Sequence, residues 1–174
     1  MTKVWVIIGG GISTYVFLDS FLEKVPEGHR VVHIKGQDMA PSCSLNSTAV
    51  CCLQGTQKGV SPLGDLLVES YTLASSFFEK EHPEGVVKGK QYNQCEPDGK
   101  NSVIEYERRF KSVDDLKALG PFKNPLTPQK GKVWDAYFID PAVYLKWFSK
   151  RVKKKAKDRG INYLEFYDFV TDIT

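Results

Sequence analysis

Lys3 to Ile8 is a short run of β-branched and aromatic residues halted by glycines, the pattern of a buried strand. The period then changes. Between Ile12 and Val25, Tyr15, Leu18, Leu22 and Val25 recur at helical spacing on one face, and Pro26 and Gly28 end the run. Arg30 to Ile34 is a second apolar strand. Strand, helix and strand within about 30 residues is the size of a βαβ unit with parallel strands and a right-handed crossover.

A polar, small-residue stretch from Gln37 to Gly59 follows without a clear period, and irregular chain of that length is usually functional. Ser61 and Pro62 then open a predicted helix to about Glu81, with Leu63, Leu66, Ala74, Phe77 and Phe78 facing inward. From Val86 the pattern becomes that of antiparallel strands. Val86 to Gln94 and Val103 to Phe110 flank the turn Pro97-Asp98-Gly99, and in the second run Ile104 and Tyr106 alternate with Glu105 and Glu107. Ser112 with Asp115 has the form of a capping box for a short helix ending at Gly120-Pro121. A loop from Asn124 to Lys132 leads to a strand over Val133 to Ile139.

Asp140 and Pro141 cap a long helix running to about Arg159, buried along Tyr144, Leu145, Phe148, Val152 and Ala156. Gly160 closes it before a last strand over Ile161 to Phe166. The fold class is therefore α/β, a Rossmann-like lobe of parallel strands and helices over 1–85 and 140–174. An antiparallel α+β lobe over 86–139 is inserted into it.

Composition narrows the function. The 174 residues suffice for one real core, and 24 Lys+Arg against 21 Asp+Glu leave a net charge of only +3. A strongly basic nucleic-acid binder is excluded as the default, so no nucleic-acid partner is expected. The basic run from Lys150 to Arg159 is expected to be a solvated face that complements a helix dipole. Cys43, Cys51, Cys52 and Cys95 form no CxxC pair, and with only three histidines no metal site is expected. His29, His33 and His82 are scattered and carry no assigned role. The amino-terminal apolar run is too short for a signal peptide, and no stretch approaches a membrane span. A cytoplasmic protein without a membrane partner is expected.

The chemistry centres on Gly9-Gly10-Gly11-Ile12-Ser13-Thr14, between the first strand and the first helix. Gly9 permits a tight turn, Gly11 lets the backbone approach a pyrophosphate, and the N–H groups of Ile12 and Ser13 sit at the positive end of the helix. Thr14 occupies the place where a third glycine is usual. Lys35 stands where an acidic residue normally accepts the ribose hydroxyls, so a lysine there pairs with a phosphate or is solvated. Gln37 or Asp38 would then hold the ribose.

Three stretches in order resemble flavoproteins of the D-amino-acid oxidase superfamily. They are Val6-Ile7-Ile8-Gly9-Gly10-Gly11, the small-residue Ser42-Cys43-Ser44-Leu45-Asn46-Ser47-Thr48-Ala49, and Ile139-Asp140-Pro141 opening a helix that leads to a strand and Val170. The resemblance implies FAD, held at Gly9, Gly11, Ser44, Ser47, Thr48, Ala49 and Val170. It also implies hydride transfer to the flavin from the carbon beside an amine, with a small-molecule amine or amino acid as substrate. The protein then supplies binding and electrostatics, and no side chain is assigned as catalytic acid or base. Tyr92 and Tyr137 are candidate pocket walls. The family's chains are about twice this length, so the fold is expected to be incomplete at its C-terminus. A second chain supplying the other half is one expectation. A non-enzymatic nucleotide-binding module that keeps the fold is the competing one, and a nicotinamide-linked dehydrogenase a third.

Overall fold

A computed structural model describes residues 2–36, 43–46, 49–53, 62–94, 111–113 and 131–168. The elements begin with β1 (Val4–Ile8), α1 (Ile12–Phe21), β2 (Arg30–Lys35), α2 (Cys43–Asn46), β3 (Ala49–Cys51) and α3 (Pro62–Glu81). They continue with β4 (Val86–Gln94), β5 (Lys111–Val113), β6 (Gly131–Ile139), α4 (Pro141–Asp158) and β7 (Asn162–Tyr167). The chain forms two compact units.

The first unit comprises Met1–Thr48, Pro83–Gly85 and Asp140–Thr174. Its sheet is parallel, in the order β1-β2-β7, with Val6 beside Val32 and Val32 beside Leu164. The predicted stripe of α1 and the turn after it is buried throughout: Tyr15, Leu18, Leu22 and Val25 are all core residues. The α4 stripe of Tyr144, Leu145, Phe148, Val152 and Ala156 is likewise the buried set. Asp140 Oδ1 accepts hydrogen bonds from the Ala142 and Val143 amides at 3.0 and 3.1 Å, so the predicted cap is formed. Gly160, at φ +61°, ends the helix in the left-handed region that glycine adopts without strain.

Helix α1 covers one face of the sheet: the Tyr15 ring meets His33 of β2 edge-on at 5.7 Å. It packs on α4 through Tyr15 and Phe148 and through Arg151 Nε, which donates to Asp19 Oδ1 at 2.9 Å. The opposite face carries Val4, Val6 and Ile8, with Leu164 and Phe166 two strands away. Here the expectation of a buried first strand fails. Val4 and Val6 are each 55% exposed and Ile8 49%, because β1 is an edge strand and no described residue covers that face.

The second unit comprises Ala49–His82 and Val86–Ile139. Its sheet is antiparallel, β3-β6-β4, with β5 also paired to β6. The β4–β6 ladder runs without interruption from Val86 beside Ile139 to Gln94 beside Gly131. Strand β6 thus begins two residues earlier than expected, because Gly131 and Lys132 pair with both neighbours. Ser112 is not a helix cap but a ladder residue opposite Lys132. Helix α3 spans the predicted range, but its buried residues are Gly64, Tyr71 and Phe78, while Leu63 and Leu66 are exposed. The Tyr71 hydroxyl donates to the Asp135 carbonyl at 2.8 Å and Phe78 packs on Tyr137, and these two anchors set the helix's rotation. Within Gln37 to Gly59, α2 and β3 are regular elements, contrary to the aperiodic reading. Residues 97–99, the strand expected over 103–110 and the helix expected after Ser112 lie outside the described residues.

Candidate nucleotide-binding turn

Gly9 leaves β1 with its N–H donating to the Ile34 carbonyl at 2.9 Å, so the turn stays tied to the central strand. Its φ of +140° is one that side-chain-bearing residues rarely adopt, and a Cβ there would collide with Thr14 Oγ1. Thr14 therefore fills the space that the missing third glycine would leave open. At Gly10 a Cβ would meet only Lys35 Cβ at 3.7 Å, an ordinary contact. Gly11 is the N-cap of α1 and has no side chain to cap with. Its carbonyl accepts from the Thr14 and Tyr15 amides at 3.2 and 3.3 Å.

Ser44 of α2 completes this corner. Its Oγ accepts a hydrogen bond from the Ile12 amide at 3.2 Å, and a Cβ on Gly11 would approach the same oxygen to 3.0 Å. Gly9, Gly11, Ile12, Ser13 and Ser44 are thus brought together at the amino end of α1, where the first turn holds no acidic residue. Such an end combines backbone donors with the positive pole of the helix dipole, which suits an anion.

Lys35 ends β2 with its side chain buried, neither solvated nor free to reach a phosphate. Its ammonium is ion-paired with Glu165 of β7 and lies 5.2 Å from the Tyr15 ring centre and 5.3 Å from that of Tyr167. Lys153 of α4 reaches the other oxygen of Glu165 at 2.5 Å. Burial pushes the Glu165 carboxyl up, but hydrogen bonds from Lys153 and Lys35 outweigh it and hold the group below its ordinary range. Burial likewise opposes the charge on Lys35, and the contacts with Glu165 and Tyr15 reverse that, leaving its pKa raised.

His33, which had no role in the sequence pattern, packs against this turn. It is fully buried, with Nε2 at 2.6 Å from the Gly9 carbonyl and Nδ1 at 2.6 Å from the Tyr163 hydroxyl. The signal was present: Val31, His33 and Lys35 alternate on the inward face of β2, and a histidine there must find partners.

Ala49 is the first residue of β3, paired with Ile139 in the second unit. Ser47, Thr48 and Val170, with Gln37 and Asp38, lie outside the described residues. In the second unit a cleft of about 690 Å³ is lined by Tyr71, Ser75, Glu79, Lys88, Asp135 and Tyr137. Lys88 bridges Glu79 at 2.6 Å and Asp135 at 3.4 Å, and the Tyr137 hydroxyl donates to Glu79 at 2.6 Å. Burial and the bond to Glu79 push the Tyr137 phenol upward. Among the described residues no group of His, Cys, Asp and Glu could hold a metal, and no helix is long and apolar enough to cross a membrane. Cys51 and Cys52 are free thiols, each half-buried.

No family model matches the chain, and no curated protein matches it. Solved structures do. The L-amino acid deaminase from Proteus vulgaris superposes with a TM-score of 0.68 at 13% identity, over 95% of this chain and 40% of that one. Glycine oxidase from Bacillus cereus matches at 0.59 and 18%, over 100% of this chain and 49% of that one. The L-α-glycerophosphate oxidase from Mycoplasma pneumoniae, whose structure has FAD bound, matches at 0.65 and 13%, over 95% and 45%. This chain therefore spans less than half the length of these solved enzymes. Over that length it shares the fold of these solved enzymes: a parallel, helix-covered sheet together with an antiparallel sheet.

Proposed function

We propose that this chain is the FAD-binding part of an oxidoreductase acting on a small amine or amino acid. The observation that carries the reading is the turn at Gly9, whose φ and crowding admit only glycine. It joins a parallel strand to a helix whose first amide is already served by Ser44, in a fold shared with solved flavoenzymes. The residues fit the cofactor. Gly9, Gly11 and Ser13 would hold the pyrophosphate, with Ile12 beside it and its amide kept on Ser44 Oγ, with Ser44, Ser47, Thr48 and Ala49 along the flavin, Val170 at the adenine, and the Lys35 stem beside Gly10. Held there, FAD would supply the hydride acceptor for oxidation at the carbon beside the substrate amine. The chain's own part is to seat it and to supply backbone donors to the phosphates.

The apolar face of Val4, Val6, Ile8, Leu164 and Phe166, uncovered among the described residues, supports a second element of the reading. An all-parallel sheet is normally covered on both faces. We assign to this face a partner chain that covers it.

Titrating the purified chain with FAD, with bound cofactor identified by mass after release, tests the first element. Saturable binding of FAD is expected. A protein that takes up no FAD, alone or with its partner chain, would refute it in favour of a non-enzymatic module. The ion-paired Lys35, placed where an acidic residue is usual, speaks for that alternative.

A further inference from the structure

We propose that His33, held by Tyr163, is the positioning residue of the phosphate-binding turn: it fixes the Gly9 carbonyl and thereby aims the next amide at the nucleotide. The inference rests on the flavin reading for the ligand, but not for the geometry.

A fully buried imidazole on the central strand of a parallel sheet is costly unless both nitrogens are bonded. Here they are, and the partners dictate the tautomer. The Gly9 carbonyl can only accept, so Nε2 carries the proton; Nδ1 is then the acceptor for the Tyr163 O–H. Burial, the largest influence, holds the imidazole below its ordinary pKa of 6.5, and the Gly9 bond only partly opposes it. The neutral form that this arrangement requires is therefore the form present near neutral pH. The groups facing the ring are Tyr15 of α1, Lys35 of its own strand, Tyr163 and Glu165 of β7, and Lys153 of α4. Of these, Glu165 Oε1 lies 3.7 Å from Nδ1, beyond hydrogen-bond reach.

The consequence follows from the planarity of the peptide. In a trans peptide the C=O and the following N–H point in opposite directions. With the Gly9 carbonyl drawn inward to His33, the Gly10 N–H is turned outward, away from the core. Gly9 lacks a Cβ and at φ +140° occupies a region open to glycine in several conformations, so without a partner its peptide would be free to rotate. The histidine thus removes the freedom that the glycine introduces. A generic core histidine would satisfy itself on any nearby groups, whereas this one bonds the turn that approaches the ligand.

The test compares the full 174-residue chain with His33→Phe, His33→Gln and Tyr163→Phe, by amide hydrogen exchange resolved to residues and by FAD titration. Phe removes both bonds, Gln keeps a donor for the Gly9 carbonyl, and Tyr163→Phe keeps the ring but not the hydroxyl. His33→Phe is expected to speed exchange across Gly9 to Thr14, and to raise the FAD dissociation constant, by on the order of tenfold. His33→Gln should restore both to within about threefold. Tyr163→Phe should show a smaller effect of the same pattern. If His33→Phe loosens α4 as much as the turn, or leaves both readouts unchanged, or if His33→Gln is as defective as His33→Phe, the proposal is overturned. Should His33→Phe fail to fold, the Gln and Tyr163→Phe variants decide. A wild type that binds no FAD, alone or with its partner chain, while the exchange difference persists would sink the flavin reading and uphold the positioning role.

Discussion

Replacing Glu165 by Gln isolates the central electrostatic contact of the first unit. The side chains of Lys35 and Glu165 are only 10% and 9% exposed, so the substitution leaves a buried ammonium without its counter-charge. Breaking a buried pair from one side costs about 3–5 kcal/mol. The lower end applies here, since the carbonyl of the introduced glutamine can still accept a hydrogen bond and the Tyr15 and Tyr167 rings remain beside the cation. Lys153 is half exposed and returns to water at little cost. With a urea m-value of about 2 kcal/mol/M, a loss of about 3 kcal/mol lowers the unfolding midpoint by about 1.5 M. The double variant Lys35→Met/Glu165→Gln should recover most of this and lie within about 1 kcal/mol of wild type, because an apolar replacement of the lysine together with a neutral one of the glutamate removes the unpaired charge. Urea unfolding followed by tryptophan fluorescence reads both numbers. A midpoint shift below about 0.5 M for Glu165→Gln, or a double variant as unstable as the single one, would refute the assignment of Lys35 to a buried pair.

Gly9→Ala should destabilise by more than about 2 kcal/mol, since it adds left-handed strain to a collision with Thr14, whereas Gly10→Ala should stay within about 0.5 kcal/mol of wild type; thermal unfolding of the two variants checks the contrast. Acid should weaken the first unit in two stages. His33 has a folded pKa below its ordinary 6.5, so the unfolded chain binds more protons and stability falls as pH drops below about that value. Glu165, held below its ordinary 4.5, adds a second loss as pH falls below that value. Urea midpoints from pH 8 to pH 4 should show the first decline in wild type and not in His33→Gln.

Much of the first unit was legible in the sequence because its signals are local. The stripes of α1 and α4 were assigned residue by residue, since a 3.6-residue period fixes which side chains share a face before any partner is known. The Asp140-Pro141 cap and the glycine turn were legible for the same reason: each is a backbone requirement satisfied within a few residues. Helix α3 shows the limit. Its extent and the inward side chain of Phe78 were predicted, but the burial of Gly64 and Tyr71 and the exposure of Leu63 and Leu66 were not, because the Asp135 carbonyl and the Tyr137 ring that receive the helix come from a strand some 60 residues away.

What the sequence by itself determined, then, is the order of the longer elements, without α2, β3 and β5, and a turn after β1 that requires glycine. What only the tertiary structure decided is every property that depends on a neighbour from elsewhere in the chain. Lys35 could be read as solvated or phosphate-binding until Glu165 appeared beside it across the β2–β7 ladder. His33 had no role until the turn of β1 and the hydroxyl of Tyr163 met its two nitrogens. Strand β1 is apolar enough to be read as buried, yet it lies exposed at a sheet edge. Hydrophobicity states what a residue would gain from burial, and only the packing states whether anything is there to bury it.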